Sequence, residues 1–141
     1  KYGHLPNLSF APKVPKGMVQ AVLAKCDLLY FTVHVSAVWR FGQSLNKVID
    51  YMLSGKPIVA SYTGYPSMIN EADCGTYVPA GDVAALRAEV LRYSLLPESE
   101  RNAMGARGRE WILAHRSYEE LAREYLAILF PVPPLVSTAT G

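Results

Sequence analysis

Residues 41–57 read FGQSLNKVIDYMLSGKP, and this stretch decides the fold. Ser44 is the residue type that caps a helix N-terminus, and Gly55 the type that sits just past a C-terminus, so a helix is predicted between them. Within it Leu45, Val48, Ile49, Met52 and Leu53 recur at i, i+3, i+4, i+7 and i+8, one core-facing stripe. Asn46, Lys47 and Asp50 share the other side, three and four residues apart, where side chains can meet. Upstream, DLLYFTV (27–33) is β-branched and aromatic and reads as a buried strand, followed by the loop HVSAVWRFGQ. Downstream, KPIVASY (56–62) reads as a second buried strand. The helix is then the crossover between two parallel strands, and a right-handed one. The fold class is α/β: a Rossmann-like parallel sheet with flanking helices.

That placement gives the polar trio a chemistry. Ligands of open α/β sheets bind beyond the carboxyl ends of the strands. The first turn of a helix presents unpaired N–H groups and the positive end of the dipole, which together attract anions. A phosphate there would take the N–H groups of Ser44, Leu45 and Asn46 and the Lys47 ammonium. One turn on, the Asp50 carboxylate would accept two ribose hydroxyls. A diphosphate followed by a ribose describes a nucleotide. The plainer alternative is that Lys47 and Asp50 form a solvated surface ion pair, as is common at this helical spacing.

The rest of the chain is consistent with one globular domain over residues 1–130 and a flexible tail from 131 to 141. Its 141 residues are 50% apolar and 18% charged, with a net charge of +2, too small to signal a nucleic-acid partner. Cys26 and Cys74 show no metal-ligand spacing and read as buried free thiols in a reducing, cytosolic compartment. No apolar run approaches the about 20 residues of a spanning helix, and the chain opens with Lys, as a processed or partial chain would. LSF (8–10) reads as a short strand, APKVPKG as a loop and MVQAVLAK (18–25) as a helix. TGYPSMINEAD holds a turn and short helix, and CGTYVPAGD a small strand and turn. Asp82 caps VAALRAEVLRYSLL, Pro97 occupies the first position of the next helix, and Ser117 with Glu120 forms a capping box before the last.

The blocks FAPKVPK, KCDLLYF, RFGQSLNKVIDYMLSGKPIVAS, EADCGTYVPAGDVAALRAEV, LPESERNAMGARGREW and SYEELAREYL, in that order, resemble the C-terminal domain of glycosyltransferase family 4. They are most similar to the bacterial O-antigen and capsule amino-sugar transferases, whose helix motif runs roughly YG-x-SPNK-x-x-DYM-x-x-GKP. The resemblance covers about Asn7 to Phe130. It implies the C-terminal half of a GT-B fold, in which two Rossmann-like domains enclose the active site, and a retaining transfer without a metal or cofactor. It implies Lys47 as the catalytic cation, with Ser44, Leu45 and Asn46 beside the donor diphosphate and sugar. Asp50 matches the second acid of the family's E-x7-E motif, the ribose clamp. Lys13 and Val14 match the loop bordering the base, and Thr63 and Gly64 the loop after the next strand.

Departures accompany the match. Gly42 stands where the first acid of E-x7-E would be, Leu45 replaces a proline and Phe41 a tyrosine. Two strands that precede LSF in the family, carrying basic residues for the donor phosphates, are not in this sequence; in the family's order they lie between LSF and DLLYFTV. The chain thus reads as part of a longer enzyme, inactive alone. Its implied partners are a UDP-linked N-acetylated amino sugar, a lipid-linked acceptor at the inner membrane face, and an N-terminal acceptor domain. An unpartnered LSF segment and the apolar face of LAREYLAILF suggest self-association of the isolated chain. Two rival functions are a nonenzymatic nucleotide-binding module and a UDP-sugar epimerase, for which only His34 lies close enough to act as acid or base. Trp39 and Arg40 are either a cover for the base or sugar, or a loop anchor. GARGR (105–109) lacks the strand and ending of a phosphate loop.

Overall fold

The computed structural model describes residues 4–43, 45–65 and 67–131. Three strands form one parallel sheet in the order β1 (Leu29–Thr32), β2 (Ile58–Ser61), β3 (Gly75–Val78). The helices are α1 (Val19–Leu23), α2 (Asn46–Leu53), α3 (Met68–Glu71), α4 (Val83–Leu95), α5 (Glu98–His115) and α6 (Tyr118–Leu129). The α/β alternation is the predicted Rossmann-like arrangement. Ser44 and the tail from 132 onward lie outside the described residues.

One core unites α2, α5 and the sheet. Val48 and Met52 of α2 and Ile112 of α5 pack with Leu29, Phe31, Ile58 and Ala60. The opposite sheet face carries Val59 and Thr76, since successive strand residues point to opposite sides. There α4 packs on β2 and β3, and Tyr93, fully buried, shares a 3.1 Å hydrogen bond between its hydroxyl and that of Thr76. All four residues of β2 are therefore buried.

In β1 only Leu29 and Phe31 are buried, whereas Tyr30 and Thr32 are exposed, which corrects the expectation of a fully buried strand. The reason is position: β1 is an edge of the sheet and α4 lies over β2 and β3. The β1 edge carbonyl of Tyr30 accepts the Tyr51 hydroxyl from α2 at 3.3 Å.

The predicted strand at Leu8–Phe10 is also corrected. The segment is irregular, Phe10 is 73% exposed, and its described hydrogen bond is a turn from Leu8 N–H to Leu5 O. An extended segment becomes a strand only against a hydrogen-bonding neighbour, and no other strand flanks β1 among the described residues. Pro97 is the N-cap of α5 rather than its first helical residue. Cys74 is buried, but Cys26 is only half-buried, with its thiol donating to Val22 O.

The caps at Asp82 and Ser117 form as expected, their side-chain oxygens accepting from Ala85 N–H and Glu120 N–H. The Glu120 carboxylate pairs with Arg123. The GARGR segment lies inside α5, where its glycines permit close packing. A Cβ on Gly105 would stand 1.9 Å from Gly55 O, and one on Gly108 2.8 Å from Cys74 Cβ. Arg109 donates to Leu53 O at 2.5 Å, so α5 grips the C-terminal end of α2. Gly55 itself has φ +69°, the left-handed residue that ends the helix. Among the described residues no helix is long and apolar enough to cross a membrane.

Candidate functional site at the carboxyl ends of the strands

Loops leaving β1, β2 and β3 meet at one edge of the sheet and are tied side chain to backbone. Ser61 Oγ, at the end of β2, donates to Pro79 O at 3.3 Å and accepts from Gly81 N–H at 3.2 Å. Thr63 Oγ1 accepts from Ala80 N–H at 2.9 Å. The loop after β1 holds a 3-10 turn at Ala37–Phe41, capped by Ser36.

Trp39 anchors that turn to the neighbouring loop. Its indole N–H donates to His34 O at 2.8 Å, and its ring packs edge-on against Tyr62 at 6.0 Å. Its carbonyl accepts from the Tyr62 hydroxyl at 3.1 Å and from Tyr65 N–H at 2.9 Å. Gly64 lies so close that a Cβ there would meet Trp39 O at 2.5 Å. Trp39 is thus the loop anchor rather than a cover for a ligand. Arg40 stacks its guanidinium over Phe41, 4.6 Å from the ring centre, and His34 is exposed.

The helix that carries the polar trio starts one residue later than predicted. Leu45, not Ser44, is the N-cap of α2, with extended backbone (φ −98°, ψ 115°) and no side-chain cap. Val48 N–H already bonds Leu45 O at 2.9 Å. The N–H groups of Asn46 and Lys47 have no acceptor among the described residues, and no acidic side chain occupies the first turn. Among the described residues the end of α2 is therefore an electropositive set of donors without acceptors. Asn46 and Lys47 are exposed and Asp50 is half-buried. Lys47 and Asp50 form no ion pair, so the plainer alternative is not realised. Neither charge has an ion-pair partner among the described residues. The backbone of Asp50 is held in place by Gln20, whose Nε2 donates to its carbonyl at 3.0 Å.

Gly42 has a physical reason to replace an acid. Its φ is +104°, a conformation that residues with a Cβ rarely adopt. It lets the chain leave the 3-10 turn and enter α2.

Sequence reasoning missed a cluster directly behind that entry. Gln43 Nε2 donates to Tyr77 Oη at 2.6 Å and to Ser67 Oγ at 3.1 Å, and those two hydroxyls also bond each other. Gln43 Oε1 is buried with no partner among the described residues. Turning the amide over would orphan Nε2 instead, so one buried amide atom stays unpaired, at a cost of about 1–3 kcal/mol. Burial pushes the Tyr77 phenol up to about 12, against its hydrogen bonds with Ser67 and Gln43. No local sequence pattern reveals the cluster, because its members are 10 to 34 residues apart.

The structure gathers Leu45, Asn46, Lys47 and Asp50 on α2, with Gly42 at its entry. It puts Thr63 and Gly64 in the adjoining loop, in structural contacts of their own. Lys13 and Val14 lie in the irregular segment before α1, and no described hydrogen bond or ion pair joins them to α2. No group of three or more metal-ligating side chains occurs among the described residues.

The fold defines the class: a Rossmann-like α/β domain, with the start of α2 at the carboxyl edge of its sheet. The model of the family described as glycosyl transferases group 1 matches residues 1–94 of the 141, a span that includes all three strands and α2. The chain belongs to that family, and its role is in sugar transfer. No curated protein and no solved structure matches the chain.

Proposed function

We propose that this chain is the donor-nucleotide part of a retaining glycosyltransferase of family 4, in the bacterial O-antigen and capsule amino-sugar branch. The observation that carries the reading is the first turn of α2, which begins at Leu45 without a side-chain cap from that residue, with Lys47 exposed and unpaired among the described residues beside it and Asp50 one turn further on. The donor is a UDP-linked N-acetylated amino sugar and the acceptor a lipid-linked sugar at the membrane surface, as the motif resemblance implies. The diphosphate lies on the free N–H groups and the Lys47 ammonium, and the ribose hydroxyls donate to Asp50.

In transfer the sugar–phosphate bond breaks and negative charge grows on the departing diphosphate. Lys47 and the helix end stabilise that charge where it develops, without rearranging. The acceptor hydroxyl and its proton are handled by the acceptor domain. Lys13, Val14, Thr63 and Gly64 border the base and sugar through backbone contacts. The reading requires no metal or cofactor.

Titration calorimetry with uridine diphosphate tests it. Lys47→Ala should lose about 1.5–3 kcal/mol of binding, the range for a charge-assisted contact, and Asp50→Ala should also weaken binding. Unchanged affinity in both variants would sink the assignment.

A further inference from the structure

We propose that Gln43 is the positioning residue of the donor site: by gripping Tyr77 and Ser67 it holds the segment that leads into α2 and so aims the first turn of that helix. The proposal rests on the reading of that turn as the diphosphate site.

The segment cannot hold its own direction. Gly42, at φ +104°, is the residue type with the widest choice of backbone conformations. Leu45 begins α2 without a side-chain cap, so the lock that a serine or aspartate would supply at the N-cap is absent. Leu45 packs against the apolar core, which adds adhesion but little direction. Between these two residues, Gln43 makes two hydrogen bonds, one to β3 through Tyr77 and one to the N-cap residue of α3, Ser67. Its partners are themselves fixed. Tyr77 packs on Tyr62 with ring centres 5.0 Å apart, and Tyr62 binds the Trp39 carbonyl. The amide thus refers the start of α2 to the sheet and to both neighbouring loops.

Oε1, without a partner among the described residues, argues against a purely structural explanation. Tyr77 and Ser67 already bond each other, so neither hydroxyl needs the amide. An apolar side chain at 43 would leave that pair intact and remove the unsatisfied atom. A residue that breaks the rule of buried polar satisfaction beside a site is expected where aim matters more than stability.

The test uses the full 141-residue chain and reads amide exchange site by site. The Val48 amide, which bonds Leu45 O across the first turn, reports the start of α2. The Ile58 and Tyr62 amides, bonded to Cys74 O and Val78 O, report the sheet. In Gln43→Leu the Val48 amide should exchange about fivefold faster, the factor set by one ordinary hydrogen bond, while the sheet amides stay as they are. Tyr77→Phe, which keeps the ring, should give a similar local rise, and the double variant no further one. Affinity for uridine diphosphate should fall with the same pattern. An unchanged Val48 rate in Gln43→Leu, or a rise spread equally over the sheet, overturns the proposal. A local rise in a chain whose wild type ignores uridine diphosphate supports the grip and rejects instead the nucleotide reading.

Discussion

Gly42 and Gly64 both stand beside the site, yet different physics demands each. At Gly64 the demand is space, since Trp39 O and the Tyr62 hydroxyl would each lie 2.5 Å from a Cβ. At Gly42 nothing lies within 4 Å, and the demand is the positive φ alone. Restoring the acid of E-x7-E at this position would thus strain the backbone. We expect Gly42→Glu and Gly42→Ala each to lower unfolding free energy by about 1–2 kcal/mol, the cost of a left-handed residue with a Cβ. Gly17→Ala is the control, because Gly17 has neither a close neighbour nor a positive φ. Urea titration decides the matter: equal midpoints for Gly42→Ala and wild type would remove the strain argument.

Among the elements, α2 is held at its middle and at its C-terminal end. Gln20 of α1 bonds the Asp50 carbonyl, and α5 clamps the C-terminal end through Gly105 and Arg109. Gly105→Ala opposes two effects. Alanine in a helix interior is favoured over glycine by about 1 kcal/mol. Against that, its Cβ would stand 1.9 Å from the Gly55 carbonyl oxygen, which is backbone and has no rotamer to yield. Overpacking against so stiff a neighbour wins, and a net loss of about 2 kcal/mol or more is expected. Met52→Ala, fully buried in the last turn of the same helix, should cost about 2–5 kcal/mol. Thermal unfolding checks both, and a Gly105→Ala variant more stable than wild type would refute the clamp.

For the molecule as a whole, the buried titratable groups predict an alkaline limit to stability. Burial raises Cys74 from 9.0 to about 11 and Tyr77 from 10.0 to about 12. Tyr51, Tyr62 and Tyr93 are raised by the same cause. Each folded-state value lies above its unfolded one, so the folded chain holds these protons more tightly. Their contribution is complete below about pH 9 and declines as pH rises toward 12. The melting temperature should fall steadily across pH 9–12. Tyr77→Phe should flatten the part above pH 10, and a wild-type melting temperature level through pH 11 would contradict the prediction.

The sequence by itself determined what depends on neighbours along the chain. The stripe through Val48 and Met52, the stop at Gly55, the cap at Asp82 and the α/β alternation are all set within a few residues by helix period and backbone preference. The placing of Asn46, Lys47 and Asp50 on one helix follows from the same period. Tertiary structure alone decided the rest. Leu8–Phe10 has strand-like composition but no neighbour to pair with, and β1 is half-exposed because α4 lies over the other two strands. The glycines of α5 reveal their purpose only against Gly55 and Cys74. The Gln43 grip exists only once β3 and α3 stand behind the loop after β1, for a hydrogen bond between residues 34 apart is written by the packing that brings them together.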